Sequence, residues 1–416
     1  MSNTSIENFS FFIINTYFYI MNNCKYFFIL IAFSFFTNCT SVSKNSDELI
    51  YVSLEDITQK ESTETLSSVA SEIIYVPLET NDNSLLDNSL NVFYMDNYFI
   101  VRDNKRNIHM FDKEGKHIKR VTQEGGGPSE FSGFLPPNII VDPATNHFYL
   151  ISDKKVIKFD ENANYTDHFQ MDYERGFFSN YPGVFTHRKT MILSLFNTIK
   201  SYDDTTTVFN AIEVDTLGRV INKYINHSPR YTNAASRDFI MLNEAVFFDK
   251  IDNNIRFQDY GNDTIFSVSG GTMIPYAILY LGKNKMDLTL ESVKERASAS
   301  GYILQKVIEN GKYFFIKLND HGKLIFCIYD KEAKKTEYIK EGALSNDLDG
   351  GISFMPEKSF NNGDLICWKN AEEFKEEILS KDYDTQKAKY GERFEKVYQL
   401  AKSLKDDDNM VLIIVK

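Results

Sequence analysis

Cysteine is scarce in this sequence: Cys24, Cys39, Cys327 and Cys367 are the only four in 416 residues, and no two form a CxxC pair. So few, so scattered, cannot build a disulfide framework. Cys327 in "LIFCIYD" and Cys367 in "DLICWKN" lie in apolar strand-like runs and are expected as buried, inert thiols. Positive charge is short as well. Lys and Arg number 46 against 58 Asp and Glu, a net charge of −12. Nucleic-acid binding depends on neutralising phosphates, so no nucleic-acid partner is expected. The same deficit argues against electrostatic docking to an anionic membrane. Local catalytic motifs are missing too. The seven histidines (His109, His117, His147, His168, His187, His227 and His321) show no HxH, no HExxH and no pairing with cysteine. What is plentiful is core material, with 34 Phe and aromatics at 14% of all residues.

The N-terminal segment reads as an address. Tyr26–Phe36 ("YFFILIAFSFF") is 11 uncharged residues behind Lys25, where a bilayer-spanning helix needs about 20. This fits the hydrophobic core of a signal peptide, with Met21 as an alternative start. A longer signal anchor that also uses "FFIINTYFYI" is the other reading. The run ends at Cys39 in "FFTNCTS", which resembles a bacterial lipobox whose cysteine is lipidated; Asn38 stands where a small residue is usual. Residues 1–39 are therefore expected as a signal peptide with lipobox, and the polar, acidic residues 40–70 as a tether. The expected location is the bacterial envelope, periplasmic or on the outer-membrane surface, with the membrane contacted through the lipid anchor alone.

From Ser71 onward, short alternating runs are separated by Asp/Asn/Gly turns, the mark of an all-β fold. Asn91–Met95, Tyr98–Arg102, Ile108–Phe111 and His117–Val121 read as one antiparallel meander. Its last turn recurs. "FDKEGKHI", "FDENANYT", "VDTLGRVI" and "YDKEAKKTEYI" place Asp112, Asp160, Asp215 and Asp330 after a β-branched or aromatic residue, and "FSVSGGTMI" is a looser copy with Ser269. The intervals are 48, 55, 54 and 61 residues. Asp bonds its own backbone two residues on and Gly supplies positive φ, so these are hairpin tips. A four-stranded unit repeating at this period predicts a β-propeller. Shared among six blades, residues 71–416 give about 58 residues each. "EIIYVPLE" (Glu72–Glu79) and the isolated tail "VLIIVK" are expected to close the ring, with Gly350–Asn370 supplying the rest of the sixth blade. Two segments read as helical: Asp287–Ala297, and an insertion over 371–404 with Tyr390, Phe394, Val397, Tyr398, Ala401 and Leu404 on one face.

These residues resemble the six-bladed β-propeller lipoproteins of Bacteroidota, relatives of NHL-repeat propellers. The resemblance rests on "FDKEGKHIKRVTQEGGGPSEF" (Phe111–Phe131), on "YGNDTIFSVSGGTMIPYAILYLGK" (Tyr260–Lys283) and on the closing "DDDNMVLIIVK". Ser129 stands where that family often has glycine. The resemblance implies an all-β, six-bladed propeller of four-stranded antiparallel blades, closed by the C-terminal strand after a helical insertion, with a binding or scaffolding role.

Gly125, Gly126, Gly127 and Pro128 read as the bend from one blade to the next. A phosphate cradle needs a strand entering a helix and Lys-Ser/Thr after the glycines, whereas here Pro-Ser-Glu-Phe follows. The glycines are expected to supply positive φ and close backbone approach. The same face carries the loops that join second and third strands, so Arg102, Lys105, Arg106, Tyr202, Tyr260, Asp320 and His321 are the candidate ligand contacts. The function expected is a non-catalytic binding or scaffolding module for an envelope protein, peptide or glycan. The alternatives are a metal-assisted lactonase- or lyase-like enzyme using the central channel, and a purely structural subunit of an envelope assembly. No cofactor, no catalytic residue and no dedicated metal ligand is assigned; Ca²⁺ at the channel is left open.

Overall fold

Alternating apolar and polar residues let a strand bury one face and hydrate the other, and this pattern builds short antiparallel sheets. The computed structural model describes residues 49–416 apart from 60, 88–89, 96, 134–135, 174–182, 196–208, 227–245, 252–253, 260–261, 287–300 and 321. Two strands come first, β1 (Ile50–Ser53) and β2 (Ile73–Pro77). Blade 1 is β3 (Leu90–Met95), β4 (Tyr98–Asp103), β5 (Ile108–Asp112) and β6 (His117–Thr122). Blade 2 is β7 (Asn138–Asp142), β8 (His147–Ser152), β9 (Lys155–Phe159) and β10 (Tyr165–Gln170). Blade 3 is β11 (Gly183–Phe185), β12 (Met191–Ser194), β13 (Phe209–Val214) and β14 (Val220–Ile225). Blade 4 is β15 (Val246–Ile251), β16 (Asn254–Asp259), β17 (Thr264–Ser269) and β18 (Thr272–Tyr280). Blade 5 is β19 (Tyr302–Glu309), β20 (Tyr313–Asp320), β21 (Lys323–Asp330) and β22 (Lys335–Ile339). Blade 6 takes β23 (Lys358–Ser359), β24 (Leu365–Lys369) and β25 (Val411–Val415), then β2 from the other end of the chain. This is the six-bladed propeller expected.

The repeated aspartates occupy one position, the turn from third to outermost strand. Asp112 Oδ1 accepts from the Glu114 and Lys116 amides, Asp160 Oδ1 from Asn162 and Asn164, and Asp215 Oδ1 from Leu217 and Arg219. Asp330 repeats the device with Glu332 and Ala333. In blade 4, Gly270 and Gly271 at φ 59° and 85° make the two-residue turn after Ser269.

The core is divided among the blade interfaces. One apolar layer fills each of the six: Phe131 and Phe148 between blades 1 and 2, for example, and Phe314 and Leu279 between blades 4 and 5. The layer holding Phe99, Val101, Leu412 and Ile414 joins blade 6 to blade 1 and closes the ring. Cys327 and Cys367 are buried and free, with their thiols pushed up to about 12 by burial.

Closure joins the two ends of the chain, as expected. The tail strand β25 is the third strand of blade 6, sandwiched between β24 and β2. Where other blades have a hairpin turn, blade 6 has the two sides of a chain break: the Ser71 amide donates to the Lys416 carbonyl at 2.8 Å, and the Lys416 amide to Glu72 at 3.0 Å.

The described part of the expected tether is no tether. β1 adds in parallel to β18 as a fifth strand of blade 4, burying Val52, Leu54 and Ile57. The chain then bridges to Tyr338 on β22, where the Ser62 amide donates at 2.9 Å, and reaches Ser345, which accepts from the Leu66 amide at 2.9 Å. Residues 49–70 thus strap the rims of blades 4 and 5 before entering blade 6. Ile50, Val52 and Leu54 alternate, and that period outweighs the polar composition around them.

The insertion between β24 and β25 holds three α-helices: α1 (Ala371–Leu379), α2 (Tyr383–Tyr390) and α3 (Glu392–Ser403). Asn370 and Asp382 cap the first two by accepting from the amides three residues on. Gly391 at φ 62° separates Tyr390 from the rest of the predicted face. Phe374 and Ile378 of α1, with Phe394, Val397 and Ala401 of α3, are buried, and most of them join the layer between blades 5 and 6. The predicted helix Asp287–Ala297 lies outside the described residues.

Candidate functional site: loop face and central channel

In a blade of four antiparallel strands, the second-to-third loop and the crossover to the next blade emerge on one face. The first crossover, residues 123–137, is folded onto itself. Gly125 donates to the Phe131 carbonyl at 2.9 Å and Glu130 to the Gly127 carbonyl at 3.1 Å. The Glu130 carboxylate turns back to accept from the Gly127 amide at 2.8 Å and from Gln123 Nε2 at 2.9 Å. These bonds hold its carboxyl below the usual carboxylate range. Lys155 Nζ donates to the Gly127 and Glu130 carbonyls, both at 2.7 Å. Residues 125–128 lie in the connection from β6 to β7, and one expectation for them is corrected. Gly125, Gly126 and Gly127 are absent from the residues with positive φ. At Gly125 the close approach is to a side chain: a Cβ there would lie 2.1 Å from Glu130 Oε2, which would have to move.

The predicted contact residues divide. Arg102 is a buried residue of β4, not a solvated loop group, and its Nη1 donates to the Pro137 carbonyl at 2.5 Å. Arg106, at φ 67°, donates to Glu124 at 2.9 Å and to the Gly133 carbonyl at 2.8 Å. Both arginines fasten the crossover instead of projecting from it. Lys105 is 73% exposed and 4.0 Å from Asp87. Asp320 ends β20, half-buried. Tyr202, Tyr260, His321 and Cys39 lie outside the described residues.

The channel holds residues that the loop reading passed over. Innermost strands β3, β7, β11, β15, β19 and β23 are neighbours around the axis, each with one edge unpaired in its own blade. Backbone groups on such an edge need other partners. Lys250 Nζ donates to the Phe185 carbonyl of the next blade at 3.2 Å, and Lys358 Nζ to Val92 at 3.3 Å. Gln258 Oε1 accepts from the Val307 amide at 2.8 Å. Lys317 is matched by Glu357 at 2.6 Å. Glu309 is satisfied by Tyr276 at 2.7 Å, Lys331 at 2.9 Å and Arg256 at 3.4 Å.

Lys306 and Asp249 have neither a hydrogen bond nor an ion pair among the described residues. Lys306 Nζ lies 4.9 Å from the Phe247 ring centroid, and Lys358 Nζ 4.4 Å from that of Phe93. Burial pushes Lys358 down to about 8, helped by the charge of Lys306. Burial raises Asp249 to about 6, although both lysines attract its charge. Asp249 and Lys358 keep part of their surface open to solvent while protein encloses them, as lining groups of a narrow wet channel do. A cleft of about 470 Å³ between the strap and blade 5, lined by Tyr51, Glu61, Tyr329 and Lys335, is far from these charges in the fold. Among the described residues, no group of three or more His, Cys, Asp or Glu is placed to hold a metal ion. No described helix is long and apolar enough to cross a membrane.

Residues 49–416 match a family described as a domain of unknown function, DUF4934. The chain belongs to this family. The DUF4934 fold is similar to the crystal structure of a Bacteroides fragilis protein described as exported, at 16% identity and TM-score 0.62, covering 89% of this chain and 99% of that one. That likeness shows the fold. BamB of Moraxella catarrhalis matches at 10% identity and TM-score 0.32, covering 70% of this chain and 75% of that one. A Bacteroides caccae protein of unknown function matches at 10% and 0.31, covering 68% and 80%. Neither of these two carries an argument about this chain. No curated protein matches.

Proposed function

We propose that this DUF4934 chain is exported, lipid-anchored through Cys39 in the envelope, and acts as a non-catalytic module that docks an envelope protein, peptide or glycan on its loop face. The supporting observation is a preorganised surface: Arg102, Arg106, Lys155 and Glu130 fix the first crossover, so little ordering entropy opposes docking there. The similarity to a protein described as exported supports the location, as does the lipobox-like "FFTNCTS". The test has two arms. Cys39→Ala is expected to release the protein from washed membranes; continued fractionation with membranes sinks the anchor. Lys105→Glu, at an exposed and weakly paired site, is expected to weaken capture of the partner from envelope extracts at least about fivefold. Unchanged capture sinks the loop-face assignment.

A further inference from the structure

We propose that the central channel binds an oxyanion between Lys306 and Lys358, with Asp249 setting which anions enter. The two lysines stand on adjacent innermost strands, β19 and β23, and Asp249 on the next strand round, β15. Each lies away from the loop tips: Lys306 pairs in register with Lys317, Asp249 with Arg256, and Lys358 with Ile366.

A purely structural role accounts for only part of this set. Lys250 and Lys358 cap carbonyls on neighbouring strand edges, and Lys317 has Glu357. Lys306 caps nothing. Its ammonium rests over the Phe247 ring with no carbonyl or carboxylate in reach among the described residues. Two ammoniums beside one carboxylate leave positive charge uncompensated, which is costly away from bulk water: the charge of Lys306 favours the Asp249 carboxylate and disfavours the proton of Lys358. The local balance is positive in a chain of net charge −12. Arg102 adds to it, since its charge also bears on Lys358.

An oxyanion placed between the ammoniums answers both. Lysine presents a compact point charge with rotatable donors, so carboxylate, sulfate and phosphate groups all suit it, whereas a planar fork would favour carboxylate. Asp249 then acts as a filter. Its carboxylate repels a second negative charge and accepts a hydrogen bond from a hydroxyl, which favours a singly charged, hydroxyl-bearing anion such as a sugar acid. Phe93 and Phe247 supply apolar walls to such a ring.

The inference goes beyond the docking role above and does not depend on it, because the site lies on the innermost strands and not on the loop face. Isothermal titration of the full chain with glucuronate, sulfate and inorganic phosphate at neutral pH tests it. The expected result is saturable binding in the order glucuronate, phosphate, sulfate. Lys306→Met keeps the contact with Phe247 and removes no hydrogen bond, so it should fold normally and weaken binding about tenfold or more. Asp249→Asn should narrow the gap between glucuronate and sulfate. Lys113→Met, at an exposed turn residue, should leave anion binding unchanged. Absence of saturable binding for all three probes overturns the proposal, as does unaltered affinity in a Lys306→Met variant with a native melting temperature. Sulfate binding tightest in the wild type overturns the filter assigned to Asp249.

Discussion

The connection from blade 1 to blade 2 and the connection from blade 5 to blade 6 both return the chain from an outermost strand to an innermost one. The first is held largely by charged side chains at the surface: Glu130 on Gly127, Arg106 on Glu124 and Gly133, Lys155 on two carbonyls. The second, residues 340–357, is sealed. Asn346 Nδ2 donates to Asp349 Oδ1 at 2.6 Å and to the Tyr75 hydroxyl at 3.1 Å, and the Gly351 amide donates to Asp349 at 2.8 Å. Lys381 covers the Gly350 and Gly351 carbonyls, and Phe374 packs edge-on to Tyr75 at 5.5 Å. The difference follows from closure. Among the described sheets, blade 6 has a chain break in place of a hairpin turn, so β2 is held to β25 without a connecting turn; Asn346 and Asp349 of the connection and Phe374 of the helical insertion all meet Tyr75 of β2 and add to that hold.

Breaking the sealed seam should have the largest effect. Phe374→Ala removes a fully buried ring from the layer between blades 5 and 6 and is expected to cost about 3–5 kcal/mol in urea denaturation. Asp349→Ala leaves the Gly351 amide and Asn346 without their acceptor, an expected loss of about 1–3 kcal/mol by the same measurement. A partnerless carboxylate should behave in the opposite sense. Asp249 holds its proton to about pH 6 in the folded chain, against an ordinary value of 3.8. Between those values the folded state binds the extra proton, so stability falls as pH rises through this window and stays lower above it. Asp249→Asn should therefore stabilise by about 1–2 kcal/mol at neutral pH, after allowance for solvent in the channel, and by nothing near pH 4. Thermal scans at both pH values check the sign. Gly125→Ala should do least. The new methyl meets only the far end of the half-buried Glu130 side chain, which can swing aside at the cost of its bonds to Gly127 and Gln123, and a melting-temperature change below about 2 °C is expected. A larger shift would show that the first crossover is held as tightly as the second.

The blades were legible because an aspartate that binds its own turn leaves a local mark, and Asp112, Asp160, Asp215 and Asp330 each left one. The sixth mark is missing because the third and outermost strands of blade 6, β25 and β2, are not consecutive in sequence and share no turn. Residues 49–70 were misread because β1 pairs with a strand more than 220 residues away, and nothing in "IYVSL" names its partner. Arg102 and Arg106 looked like solvated loop groups for a similar reason: Pro137, Gly133 and Glu124 reach them only through the crossover's fold. Lys306 and Lys358 sit in "YILQKVIE" and "MPEKSF", where one charge in a short strand reads as surface. Only ring closure makes those edges interior.

The parallel strand on blade 4 also settles where a load would fall. Tension arriving at Leu49 must first unzip β1 from β18, then free Ser62 from Tyr338 and Leu66 from Ser345, before it reaches β2 in the closing blade. The strap is a strain relief, like the knot that keeps a tugged cable from tearing out its own plug. In a pulling measurement from residue 49, the rim segment should peel at low force while the torus stays shut.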